Sequence, residues 1–205
     1  YTASMSVELT SGVAPEIDIT HENKLFEFAG FIDADGNAYD VANLANATQN
    51  IELTANFVPT FISETYGEKW VRFTNCSNTS YSAGLEIVEG EYVDSKGKTA
   101  IMDFSAENQL WCLVGTYDNF ILYNKAAGEN YALNVPIAEN SSYANGTESK
   151  MAADKGAWKI KSGHYGIALV PIAKTNASEL AVNMYGGNGG YLKLYTTGKE
   201  DKGSY

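Results

Sequence analysis

Over much of the chain apolar and polar residues alternate at period two, a pattern that predicts strands with one face buried. Ser4-Met5-Ser6-Val7-Glu8-Leu9, Ile17-Asp18-Ile19 and Ile51-Glu52-Leu53-Thr54-Ala55-Asn56-Phe57 all read this way. Between them Asp35-Gly36-Asn37 is a turn signal, and residues 1 to about 60 show no helical periodicity. After residue 60 the pattern changes from single strands to a repeat.

The repeat is clearest from Asn108-Gln109-Leu110-Trp111 onward. Cys112-Leu113-Val114-Gly115 follows, then Phe120-Ile121-Leu122-Tyr123-Asn124, a turn of small residues at Ala126-Ala127-Gly128, and Leu133-Asn134-Val135. Trp70 opens a similar series through Val71-Arg72-Phe73-Thr74-Asn75 to Leu85-Glu86-Ile87. Trp158 opens a third, through Lys159-Ile160-Lys161, Val182-Asn183 and the glycine-rich stretch Gly186 to Gly190, to Leu192-Lys193-Leu194. The spacing from Asn to Leu is ten residues in the first copy and nine in the others. Three units that cannot each bury a core, but can do so together, predict a β-trefoil whose leading aromatics are repeated core residues. The expected architecture is therefore all-β: a small N-terminal β domain over 1–62, a polar linker over 63–68, and a C-terminal β-trefoil over 69–205.

Composition narrows the function. The 44% hydrophobic content and 14 tyrosines indicate a folded protein, and 205 residues suffice for a real core. A formal charge of −11 with 14 basic residues argues against nucleic acid and anionic membranes as partners. No run approaches the roughly 18 apolar residues of a membrane helix. The chain starts and stops in mid-pattern, as expected of a piece of a longer protein. Cys76 and Cys112 lack metal-ligand spacing; each reads as a small buried thiol, with a bridge between them as the alternative.

Phe28-Ala29-Gly30-Phe31, Thr48 and Ile51 to Phe57 resemble the internalin-type bacterial B repeat, a β-grasp-like spacer. The match covers about residues 24 to 58, with Phe31 where tryptophan is usual, and implies a spacing role. Gln109-Leu110-Trp111 resembles the QxW signature of ricin-type β-trefoil lectins, with Leu85-Glu86-Ile87 in place of that family's L-D-V. Leu110 to Gly115 and Tyr123 to Gly128 also look like trefoil modules attached to secreted bacterial glycoside-degrading enzymes. These resemblances imply an accessory, carbohydrate-binding part of a secreted or cell-surface bacterial protein.

By the lectin resemblance a sugar site takes a carboxylate after the first Leu, an aromatic platform and an Asn before the QxW glutamine. Glu86, Phe104 and Asn108 hold those positions. Such groups suit a pyranose, which offers vicinal hydroxyls to polar side chains and a C–H face to a ring. Glu in place of Asp extends the carboxylate by about 1.5 Å. The other copies have Asn134 and Lys193 instead of a carboxylate. Against this stands the reading that Phe104 is core and Glu86 a solvated face. Two loop stretches, Tyr117-Asp118-Asn119 and Tyr185 to Asn188, each pair an aromatic with polar groups, although turn chemistry explains the same residues.

Other chemistries find little purchase. Asp33 to Asp40 alternates oxygen ligands, yet its glycine and twelfth residue do not fit a calcium-binding EF-hand, so a turn rich in Asp and Asn is expected. His21 and His164 stand apart, with no metal or triad spacing. No phosphate-binding glycine loop or hydrolase motif is present. The six Asn-x-Ser/Thr sequons read as chance in an Asn-rich chain. The expectation is a non-catalytic, monomeric module that binds a glycan and needs no cofactor or metal; the alternative is a structural spacer or protein-interaction module.

Overall fold

The computed structural model describes residues 12–13, 15, 25–88, 91–136, 144–162, 165–172, 180–184, 189–197 and 204. The chain is all-β and divides into two units, Tyr1–Thr60 and Phe61–Tyr205. The expected strands at Ser4 to Leu9 and Ile17 to Ile19 lie outside the described residues.

In the first unit β1 (Phe26–Ile32) is flanked by β2 (Ala38–Tyr39) and β3 (Thr54–Pro59), both antiparallel to it. Phe28-Ala29-Gly30-Phe31 forms a bulge within β1, where the register with β3 slips between Phe28 and Gly30. The bulge brings Phe28 edge-on to Phe31 at 5.1 Å and to Phe57 at 5.8 Å. The closing strand starts at Thr54, three residues later than its alternation suggests. Asp33 accepts backbone N–H bonds from Asp35 and Asn37 at 2.9 Å, and Asp40 caps a 3-10 turn over Val41–Asn46 through Ala42. The acidic residues here serve as turn caps.

The second unit begins with β4 (Ile62–Ser63), paired in parallel with β8 (Trp111–Thr116). Phe61 lies in the main core and Ser63 is buried, so the stretch expected as a linker is built into this unit. Next come β5 (Thr74–Asn75), β6 (Asn78–Val88) and β7 (Glu91–Ile101), then β8 and β9 (Asn119–Asn124). The series ends with β10 (Ala132–Asn134), β11 (Lys150–Ala152), β12 (Ala157–Ser162), β13 (Ile167–Pro171), β14 (Leu180–Met184) and β15 (Leu192–Thr196). Strands β8, β9, β12 and β13 are neighbours in that order, and Val71 bridges to Trp111. The pairs β6/β7, β10/β11 and β14/β15 are antiparallel, and they meet at Lys150↔Lys96, Lys98↔Tyr191 and Glu148↔Lys193.

Alternation along β8 and β9 sorts two layers. Trp111, Leu113, Phe120 and Leu122 face the main core with Leu133, Met151, Trp158, Leu192 and Leu194. Cys112 and Tyr123 point the other way, into a smaller cluster with Ala132, Tyr66 and Trp70. Trp111 and Trp158 are fully buried, and each donates its indole N–H to a backbone carbonyl at 2.9 Å, those of Ala83 and Leu133. Trp70 does not repeat this role: it is half-buried on the outer layer, edge-on to Tyr66 at 5.5 Å. The inward residue of the first copy is Val71, since a shift of one position along a strand exchanges faces.

The β8/β9 connection is tight. Gly115 has φ +137°, and a Cβ there would stand 2.4 Å from the Asn119 carbonyl oxygen, so only glycine fits.

Candidate functional site

Gln109 is the buried hinge on which the candidate site is built. Its Oε1 accepts from the Ser82 hydroxyl at 2.6 Å and the Asp103 N–H at 2.9 Å, while Nε2 donates to the Ile101 carbonyl at 2.8 Å. One side chain thus fastens β6, the end of β7 and the turn that follows. Within that turn Asp103 accepts from the Ser105 N–H and hydroxyl at 2.8 and 2.6 Å; these bonds, with the positive charge of Arg72 as a smaller contribution, hold its carboxyl below its ordinary value.

Phe104 stands at the crest of the turn. Its ring is 79% exposed, which removes the alternative that it is a core residue. Arg72 lies over the ring with Cζ 5.4 Å from the centroid, and its Nη2 donates to the Phe104 carbonyl at 2.7 Å. Sequence reasoning missed this arginine, although the chain contains no other.

The remaining members of the expected constellation have structural partners. Asn108 donates to the Leu85 carbonyl at 3.0 Å, and its own carbonyl accepts from Asn124 at 2.9 Å. The bond to Leu85 brings Asn108 beside the backbone next to Glu86. The Glu86 carboxylate pairs with Lys98 at 2.6 Å and also bonds Tyr191, and these contacts hold its pKa below the ordinary value. It is therefore neither an uncommitted sugar ligand nor simply solvated. Phe104 makes its described contacts with Arg72 and not with Glu86 or Asn108. In the other copies Asn134 donates to the Asp154 carbonyl at 2.7 Å, and Lys193 pairs with Glu148 at 3.1 Å.

The second expected cluster sits at the tip of the β8/β9 hairpin. Tyr117 is half-buried against the main core, and its hydroxyl shares a 2.8 Å hydrogen bond with Ser162. It is a strut between hairpins and not an open platform. Asp118 and Asn119 are exposed. Tyr185 and Asn188 lie outside the described residues, as do His21 and His164. Cys76 and Cys112 are unbridged: Cys76 donates to the Tyr165 carbonyl at 3.1 Å, and Cys112 lies 3.5 Å from the Ser63 hydroxyl. Burial pushes the Cys76 thiol up.

Around Tyr191 a lysine and glutamate network joins the paired strands. Lys96 bonds Glu148 at 2.7 Å, Lys150 bonds Asp94, and the Lys96 and Lys98 ammoniums lie 4.8 and 5.7 Å from the Tyr191 ring centre. Lys96 and Lys193 lower the Glu148 pKa as Lys98 and Tyr191 lower that of Glu86, both from an ordinary 4.5. Because the folded-state values are depressed, the stabilisation is complete above about pH 4.5 and is lost as pH falls through the folded values. Replacing both glutamates by glutamine should lower the urea midpoint at pH 7 only slightly, because the pairs are partly exposed and screened. It should also flatten the decline seen below pH 4.5; an unchanged decline would remove the network from the acid response.

No protein-family model matches the chain, and no curated protein matches it. A solved structure titled "Structure and mode of action of a mosquitocidal holotoxin" is similar, with a TM-score of 0.52 at 16% identity over 75% of this chain and 18% of that one. The chain spans under a fifth of that neighbour's length, and a likeness at this identity concerns the fold alone. It accords with the all-β class.

Proposed function

We propose that the chain is a non-catalytic carbohydrate-binding module, its second unit a ricin-type-like β-trefoil and its first an internalin-like spacer, within a secreted or surface bacterial protein. The observation that carries the reading is the Phe104 ring, exposed over most of its area yet braced by Arg72 and by the turn that Gln109 holds. A large apolar ring kept in water on a fixed turn is poorly explained by folding, and it offers the flat face on which a pyranose stacks. The order of strand pairing in the second unit, with three antiparallel pairs meeting beside a run of barrel-like neighbours, supports the trefoil reading. One shallow site of this kind binds weakly, about millimolar to micromolar, and gains by tethering.

Binding of the whole chain to an array of neutral and charged glycans tests the proposal. Phe104→Ala should reduce retention by about tenfold or more, while the thermal midpoint stays put, since exposed substitutions cost within about 0.5 kcal/mol. Tyr117→Ala should leave binding intact and lower the midpoint. Silence across the array from a well-folded protein would favour the second reading, a spacer or protein-docking module, which the commitment of Glu86 to Lys98 and Tyr191 already recommends.

A further inference from the structure

Resting on the carbohydrate-binding reading, we infer that the Phe104 site takes an acidic sugar, one whose carboxylate reaches Arg72 while its ring stacks on Phe104. The chain has a single arginine, and it is the cation placed at the exposed ring. Lys96, Lys98, Lys125, Lys150 and Lys193 each pair with a carboxylate, whereas no described carboxylate forms an ion pair with Arg72. Of its donors, Nη2 bonds the Phe104 carbonyl, and Nε is buried with no acceptor among the described residues. The guanidinium is thus oriented by one bond to the turn it braces, and its charge is not neutralised by direct contact. Its Cζ stands 5.4 Å from the ring centre, and Phe104 as a whole remains 79% exposed, which leaves apolar surface for a sugar.

Arginine suits such a role. Its planar fork matches a carboxylate in two parallel bonds and remains charged at any working pH, whereas an ammonium acts as a point charge. A neutral sugar would leave the guanidinium uncompensated beside its bound face. The nearby charge that opposes an anion is Asp103, whose carboxylate is held by Ser105 and stays ionised to low pH.

The deciding experiment is an array carrying uronic acid-, sialic acid- and sulfate-bearing oligosaccharides, each printed beside its uncharged parent and probed with the whole chain at low and moderate salt. The inference expects a preference for carboxylated over parent glycans that weakens as salt rises. Arg72→Gln should weaken carboxylated binding by about tenfold or more and abolish both the preference over the uncharged parent glycan and its salt dependence. Arg72→Lys keeps a charge near the turn and should recover part of the loss, with thermal unfolding checking that the turn is intact. Asp103→Asn retains the acceptor for Ser105 and should tighten acidic-glycan binding by removing the nearby opposing charge. Preference for sulfate over carboxylate would overturn the ligand assignment. Equal binding of acidic and neutral glycans, lost with Phe104→Ala but kept with Arg72→Gln, would overturn the inference and leave the carbohydrate-binding function standing. Silence would overturn both.

Discussion

Trp111→Ala is expected to destabilise the second unit by about 3–5 kcal/mol, a large share of the roughly 5–15 kcal/mol that holds a domain folded. The side chain has no exposed surface and lies against both β6 and the β12 tryptophan's layer, so its removal opens a cavity in the main core. The Ala83 carbonyl also loses the indole N–H that satisfies it at 2.9 Å. Trp158→Ala should cost a similar amount, because the same two terms apply with Leu133 as the acceptor. Trp70→Ala should cost only about 1–2 kcal/mol, as expected for a half-buried aromatic outside the main core. Urea unfolding of the three variants followed by circular dichroism measures the set. Equal losses at Trp70 and Trp111 would contradict the assignment of these residues to opposite faces.

That comparison also marks where the sequence could be read. The hydrophobic strands Trp111–Thr116 and Asn119–Asn124 were visible because their burial on both faces leaves an unmistakable apolar run. Trp70 misled because a tryptophan followed by a strand looks the same whether the ring points into the barrel or out of it. Only the pairing of Val71 with Trp111 distinguishes the two. Strand β7 left almost no hydrophobic signal. Its inward positions are Ser95, Gly97 and Thr99, kept small where neighbouring strands converge: a Cβ on Gly97 would sit 2.8 Å from both Leu192 Cδ1 and Ser149 Oγ. Crowding explains the glycine at 97, and single-sequence periodicity has no term for it.

The candidate site was legible in part for a similar reason. Phe104 and Asn108 could be singled out by their offset from Gln109, but offset cannot say which polar groups are left over once the strands have paired. Lys98 and Tyr191, which engage Glu86, come from β7 and from the residue preceding β15. Arg72 reaches Phe104 across 32 positions. Its isolation as the chain's one arginine was a usable signal, since arginine in place of lysine often marks planar recognition.

Gln109→Ala joins the fold to the site. The substitution would leave the Ser82 hydroxyl, the Asp103 N–H and the Ile101 carbonyl without the partner that now serves all three, and Ser82 is fully buried. Buried polar groups left unsatisfied cost about 1–3 kcal/mol each when water cannot reach them. Asp103 and Ile101 border the exposed turn and can be partly rehydrated, so the expected total is about 2–4 kcal/mol by the same scale. The local consequence is larger than the global one. Gln109 is what binds Asp103, the residue before Phe104, to the end of β7, so its loss should free the Phe104 turn while the core tryptophans stay packed. Hydrogen exchange should therefore accelerate at residues 102–106 more than at Trp111 or Leu113, and glycan retention should fall in a protein that still unfolds cooperatively. Gln109→Glu separates the two roles: it keeps the acceptor for Ser82 and Asp103 but sets a carboxylate against the Ile101 carbonyl, and a pH-dependent recovery of binding on acidification would follow from protonating it. If Gln109→Ala lowered stability without loosening the turn, the glutamine would be a core residue only, and Phe104 would owe its placement to Arg72 alone.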